Sequence, residues 1–337
     1  VMEEQGHCFV PDPDDAKLVM NFFPVDEPRP FRRKAQATFV ASITELDHPP
    51  DRPVQDTYPI LVRSLSNLVI TLVDNGGTDP DAHFLTPEQG HYVVSGNHDH
   101  RAYFARVYRR IEPLARSRMV IDNIFVPDLP RELWDGDEVT AQLYRAGKQL
   151  DELDLLPNPY PLHQMLPERD QKHLKRLYGI GGLSYGNVSA RKDEERFWMS
   201  ASGVDKSHLK EVGREVLLVK GYDEEKNAII LSVPPHVTPQ RVSVDAIEHW
   251  MIYREHSEVG AILHVHGWID GIEATDFNYP CGTYELGEAV AEIVRRSPDP
   301  ARAVVGLKNH GITVTGLSLD EIFDRVGPKI ERVVPME

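Results

Sequence analysis

The chain has 337 residues, enough for about two domains at roughly 150 residues each. Its net charge of −16, from 37 Lys and Arg against 53 Asp and Glu, argues against a nucleic-acid binder, which needs clustered cations facing phosphates. Hydrophobic residues at 41% and charged residues at 27% exclude wholesale disorder, and no apolar run approaches the ~20 residues of a membrane span.

The opening Val1-Met2-Glu3-Glu4-Gln5-Gly6 lacks a basic stretch followed by an apolar one, so no secretory signal is expected there. Cys8 and Cys281 are too few for a disulfide framework, which points to a reducing cytoplasm. β-Branched and aromatic residues predict strands at Gln36–Leu46, Leu68–Val73 and His91–Ser95. Apolar residues at helical spacing predict helices at Arg101–Met119 and Glu138–Leu153. Residues 1–165 therefore read as an α/β accessory domain with no legible function. Within it, Asp81-Ala82-His83 and Gly96-Asn97-His98-Asp99-His100 carry residue types of a phosphoesterase metal site. The intervening Gly-Asp-x-x-Asp element is absent, so they read as a polar surface turn.

Pro157, Pro159, Pro161 and Pro167 crowd Leu155–Arg169, a linker signal that places the boundary near Leu166. Beyond it a polar helix is expected at Glu168–Tyr178. Gly179-Ile180-Gly181 follows a helix rather than a strand and is rejected as a dinucleotide fingerprint. Strands are expected at Asn187–Ala190, Phe197–Ser200, Val216–Lys220, Ala228–Ser232, Val259–His264 and Ala303–Leu307. Helices are expected at Ser243–His256, with Ser243 as N-cap, and at Glu285–Arg296. A capping box at Ser318-Leu319-Asp320-Glu321 opens a last helix running to about Val333.

Leu263-His264-Val265-His266-Gly267 carries the strongest chemical signal. Alternation along a strand puts His264 and His266 on one face, a half-shell for a divalent metal. His310, in Lys308-Asn309-His310-Gly311, is the candidate third ligand, and three imidazoles with one open position describe a catalytic site. Two small-residue turns, Ser184–Arg191 and Met199–Val204, could present backbone N–H groups to an anion.

With these motifs in hand, Arg169–Val333 resembles the class II aldolase/adducin family. The match is carried by Gly186-Asn187-Val188-Ser189-Ala190-Arg191, Ser202-Gly203, Tyr253, Val259–His266 and Asn309-His310-Gly311, in the family's order. The resemblance implies a three-layer α/β/α domain over residues 166–337. It implies Zn²⁺ or another divalent ion on His264, His266 and His310, with Asp245 as proton shuttle in the first turn of the helix before the metal strand. Gly186, Asn187, Ser202, Gly203 and Ser243 would hold a substrate phosphate or carboxylate, although Ser243-Val244 has one hydroxyl fewer than the family's Ser pair. No Tyr follows Tyr284 to match the family's C-terminal proton donor. The implied activity is that of an aldolase-type lyase on a sugar-phosphate or hydroxy-carbonyl substrate, working through a metal-stabilised enediolate. An epimerase, a decarboxylase or a non-catalytic adducin-like assembly module are the alternatives. The implied assembly is a homo-oligomer, tetrameric by the same resemblance.

Overall fold

A computed structural model of the chain describes residues 1–12, 15–31, 38–87, 90–153, 155, 165–177 and 186–336. In chain order these form β1 (Leu18–Phe22), β2 (Phe39–Leu46), α1 (Pro53–Ser64), β3 (Leu68–Val73), β4 (Asp81–Leu85), β5 (His91–Val94) and α2 (His100–Arg116). There follow β6 (Asp122–Val126), α3 (Glu138–Glu152), α4 (Glu168–Leu177), β7 (Gly186–Arg191), β8 (Phe197–Ser200), β9 (Val216–Asp223) and β10 (Ala228–Ser232). The last elements are α5 (Ala246–Glu255), β11 (Ala261–Val265), α6 (Tyr284–Arg296), β12 (Val304–Leu307), β13 (Gly311–Gly316) and α7 (Leu319–Val326). No helix among the described residues is long and apolar enough to cross a membrane. Most of the expected proline linker, the Gly179-Ile180-Gly181 stretch, and Ser184 and Tyr185 lie outside the described residues.

The chain divides into two compact units. One holds residues 1–117, 157–177 and 336–337; the other holds 118–156 and 178–335. The first contains a five-stranded sheet in the order β1-β2-β3-β4-β5. β1, β2 and β3 run parallel, and β4 and β5 turn back as antiparallel neighbours. Asp81-Ala82-His83, expected as a surface turn, instead opens β4 with Ala82 buried, because it pairs with β3 and β5 on either side. Gly96–Asp99 is the loop before α2, where Asp81 accepts from the Gly96 amide and buried Asp79 binds the exposed His100 ring.

The second unit is built on an eight-stranded sheet, β12-β13-β11-β7-β8-β9-β10-β6. Its pairs are antiparallel except β10 with β6. Leu143, Ala146 and Leu150 of α3 and Leu319, Ile322 and Phe323 of α7 cover one face, over Val188, Leu263 and Val265. Ala246, Ile247 and Met251 of α5 and Leu286, Val290 and Val294 of α6 cover the other, over Met199, Leu217 and Ile262. Helices on both faces make the expected three-layer α/β/α arrangement, accompanied by the N-terminal α/β region.

Three further expectations need adjustment. A boundary is expected near Leu166, whereas β6 adds to the β10 edge and α3 buries its apolar stripe on the second sheet. Compactness follows that burial, so residues 118–156 sit in the second unit and α4 in the first. The last helix stops at Val326 rather than Val333, because Pro328 offers no N–H and its ring clashes with the preceding turn. Asp245, not Ser243, occupies the N-cap of α5, and the Ser243 carbonyl accepts from the Ala246 amide.

One side chain pins α3 to the sheet. Asp137 accepts from the Val139 and Thr140 amides as N-cap, from Trp198 Nε1 on β8 at 3.1 Å, and pairs with Lys192 at 2.7 Å. Burial pushes its carboxyl up, but Lys192, the Thr140 amide and Trp198 outweigh this and hold its pKa below the ordinary value. Asp137→Ala removes the cap and leaves the indole N–H without its acceptor, so it should cost about 2–3 kcal/mol in urea unfolding at pH 7. A carboxyl whose folded pKa is depressed stabilises above its unfolded pKa and loses that contribution as pH falls. The difference between wild type and variant should therefore shrink as the pH drops through the carboxylate range.

Candidate metal centre

The register of three strands builds the centre. His264 on β11 lies opposite Asn187 on β7 and opposite Thr313 on β13. Alternation sends Leu263 and Val265 into the α3–α7 layer, so Ile262 and His264 face α5 and α6. Gly186 starts β7 with φ 135°, and a Cβ there would lie 1.9 Å from the His264 carbonyl oxygen. A side chain at 186 would thus push β7 away from the metal strand. His266 follows directly after β11, and His310 sits in the turn between β12 and β13, where Asn309 takes φ 57°.

The structure brings the three expected histidines together. Their ligand nitrogens all lie within 4.8 Å of one another, and they are the one such group of three or more metal-ligating side chains among the described residues. His264 Nε2 and His310 Nε2 are 3.3 Å apart. Tetrahedral nitrogens on a cation with bonds of about 2.0–2.1 Å are spaced about 3.3–3.4 Å apart, so this edge fits. His264 Nδ1 lies 3.1 Å from the Ile312 carbonyl oxygen, which can only accept, so Nδ1 carries the hydrogen and Nε2 offers a lone pair. Cys281 Sγ lies 3.1 Å from His310 Nε2.

Electrostatics favours neutral, ligating rings. Burial pushes the pKa of His264 well below the ordinary imidazole value, and His310, His266 and His249 push the same way. Burial alone brings His310 to about 4. At 1% and 4% exposure these two rings are walled off, whereas His266 is half-buried and marks the open side. The donor set, three imidazoles of which His264 and His310 are kept neutral by burial, with one lone pair oriented by a backbone carbonyl, suits a divalent cation such as Zn²⁺.

Asp245 is buried at the head of α5. Its side chain does not cap that helix; instead Asn187 Nδ2 donates to Asp245 Oδ2 at 2.7 Å. Burial raises its pKa, while Asn187, the Gly282 amide and Lys206 pull it down. The small-residue segments adjoin this pair. The Val188 amide donates to Ser200 Oγ, the Ser243 amide to the Ser200 carbonyl, and the Ser202 amide to the Arg241 carbonyl. Gly203 takes φ 70° in the turn after β8. Gly186, Asn187, Ser202, Gly203 and Ser243 thus sit on segments linked around the ends of β7 and β8.

Sequence reasoning did not single out two buried charged groups beside Asp245. Lys206 is 2% exposed; burial lowers its pKa to about 8, against the pull of Asp245 and Asp205. Glu248, one turn beyond Asp245, accepts from Thr313 Oγ1 at 2.5 Å, and its pKa is raised by burial and by Asp245. An acid between the inward-facing Ile247 and Met251 was a readable signal for Glu248. Lys206, in a polar turn, carried none. Ser189 joins His249 at 2.7 Å and Tyr253 at 2.9 Å in a buried polar group on the same layer.

The family model described as "Class II Aldolase and Adducin N-terminal domain" matches residues 172–268, a span that contains Asn187, Ser202, Asp245, His264 and His266 and ends before His310. No curated protein matches the chain. Among solved structures, an L-fuculose 1-phosphate aldolase is similar with a TM-score of 0.38 and 17% identity, over 57% of this chain and 81% of that one. The L-fuculose-1-phosphate aldolase from Thermus thermophilus gives a TM-score of 0.32 and 20% identity, over 56% and 88%. The N-terminal class II aldolase domain of a conserved protein from Thermoplasma acidophilum gives 0.36 and 12%, over 56% and 88%. Residues 172–268 of this chain match the model of the class II aldolase/adducin family, and the eight-stranded sheet to which they contribute has helices on both faces.

Proposed function

We propose that the C-terminal region is a divalent-metal-dependent lyase of aldolase type, acting on a sugar-phosphate or hydroxy-carbonyl substrate. One observation carries the reading: three imidazoles converge on the layer that also holds the buried Asn187–Asp245 pair, with the His264 tautomer set by the Ile312 carbonyl at 3.1 Å. A scaffold gains nothing from burying these rings with their lone pairs turned inward, because each uncompensated polar atom costs stability.

In this reading His264, His266 and His310 hold the cation. When bound, it supplies electrostatic stabilisation for the negative charge that develops on substrate oxygens as the carbon–carbon bond breaks. Asp245 accepts a proton and returns it, with Asn187 orienting its carboxylate through the 2.7 Å hydrogen bond. One Asn187 amide hydrogen is thereby committed to Asp245, which makes Asn187 a positioning group as well as a substrate donor. The Ser202 and Ser243 amides are engaged by backbone carbonyls. Their hydroxyls and the Gly186 and Gly203 backbone are the groups assigned to the phosphate or carboxylate end of the substrate. The N-terminal α/β unit is assigned an accessory role, and the assembly a homo-oligomer.

Two measurements test the proposal. After equilibrium dialysis against Zn²⁺, elemental analysis should find about one ion per chain in the wild type and about a tenth of that or less in His264→Ala, with unchanged circular dichroism. The loaded protein should cleave or form carbon–carbon bonds in a screen of aldehydes with dihydroxyacetone phosphate. Turnover confined to a parallel screen of pentulose phosphates would make it an epimerase, and a wild-type protein that takes up no ion and is inert in both screens would leave only a scaffold. Asp245→Asn should keep its metal and lose about 10²–10⁴-fold in kcat, since it preserves the shape of the group and removes the proton acceptor.

A further inference from the structure

Cys281 touches the metal centre and has no part in the chemistry above. Its Sγ lies 3.1 Å from His310 Nε2 and 3.6 Å from Nδ1, and the same Nε2 lies 3.3 Å from His264 Nε2. One His310 nitrogen thus has a sulfur and a second imidazole nitrogen as close neighbours. Ligands on one cation, with bonds of about 2.0–2.1 Å to nitrogen and about 2.3 Å to sulfur, stand about 3.1–3.6 Å apart at angles from 90° to tetrahedral. The sulfur approaches His310 at the spacing of two donors that share an ion.

The loop between β11 and α6 holds Cys281 in place. Thr283, fully buried, donates from Oγ1 to the Pro280 carbonyl at 2.8 Å and accepts from the Leu286 amide as N-cap of α6. The Gly282 carbonyl accepts from the Val120 amide at 2.7 Å, and the Tyr284 amide donates to the Arg118 carbonyl. The Gly282 amide reaches Asp245, and a Cβ on Gly282, at φ 70°, would stand 2.8 Å from Val244 Cβ. The backbone beside Cys281 is therefore fixed against the head of α5. The sulfur itself is half-buried and stands outside the set of three nitrogens that lie within 4.8 Å of one another. Rotation about its single side-chain torsion is the motion available to close that distance.

We propose that Cys281 is a fourth, exchangeable ligand of the metal centre: its thiolate takes the open position beside His264, His266 and His310 when no substrate is bound, and yields it to the oxygens of a substrate. The proposal rests on the metal-centre reading above. On binding, the S–H bond breaks, its proton passes to solvent, and the sulfur lone pair forms the bond to the cation, with no change of oxidation state. The three imidazoles bring no negative charge to a dication, and a thiolate supplies one. Thiolate beside imidazole is a donor set that suits Zn²⁺. Cys8, the other cysteine, is exposed and belongs to the first unit.

The test uses the full chain as Cys8→Ser, which leaves Cys281 as its one thiol, loaded with Co²⁺ in place of Zn²⁺. A sulfur-to-cobalt charge-transfer band should appear in the near ultraviolet and vanish in Cys8→Ser/Cys281→Ser, with about one ion per chain in both. Loading Cys8→Ser with Zn²⁺ should slow alkylation of Cys281 by iodoacetamide about tenfold or more, a readout that needs no change at Cys281. Acetohydroxamate, a bidentate oxygen ligand, should bleach the band. Bound cobalt without the band, or alkylation equally fast with and without Zn²⁺, overturns the proposal and leaves the three-histidine centre standing. A band that survives saturating acetohydroxamate makes the sulfur a fixed ligand and overturns the exchange. A chain that takes up no cobalt overturns the metal-centre reading and this proposal together.

Discussion

The row Asn187, His264 and Thr313, set side by side by the pairing of β7, β11 and β13, is the constraint on which the rest of the second unit depends. Side chains opposite one another in neighbouring strands share a face, so this register settles at once where the imidazole points and which groups flank it. Slipping β11 by one residue would turn His264 into the α3–α7 layer and bring Leu263 to the α5 side. The burial of Leu263 and Val265 beneath α3 and α7 opposes such a slip, since it would expose apolar area and bury an imidazole in its place. Packing on the far face thus holds the chemistry on the near one.

Helix α5 completes the arrangement from above. Its apolar residues Ala246, Ile247 and Met251 seat it on the sheet, and its two acids then meet Asn187 and Thr313. Water is excluded where charge is concentrated, so the electrostatics of the layer are strong in both directions. The same exclusion keeps His264 and His310 uncharged, raises the Asp245 and Glu248 pKa values and lowers that of Lys206. The half-buried His266 gives the layer its connection to solvent.

The first unit is organised differently. Its sheet mixes a parallel core, β1-β2-β3, with the antiparallel β4 and β5. Asp79, Asp81 and Gly96 tie its polar turns together. His83 and His91 approach to 3.1 Å across β4 and β5, yet no third ligating side chain joins them among the described residues. The residue types of a metal site are thus present there without the convergence seen around His264.

The amino-acid sequence by itself determined whatever depends on near neighbours. Apolar periodicity and capping residues located most strands and helices of the second unit to within a few residues, and the His-x-His spacing put two imidazoles on one face because strand geometry repeats every two residues. Prolines marked a seam for the same local reason. Tertiary structure decided what depends on distant partners. β13, with glycine at both ends, and the short β6 acquire strand character only from the neighbours they pair with, and α3 joined the second unit because that sheet offered its apolar stripe a cover. The burial of Glu248 and Lys206 was likewise unreadable in full, since periodicity states which way a side chain points and says nothing of what closes over it. A charge is ordinary in water and chemically distinctive only once packing has removed the water, and that removal is a property of the whole fold.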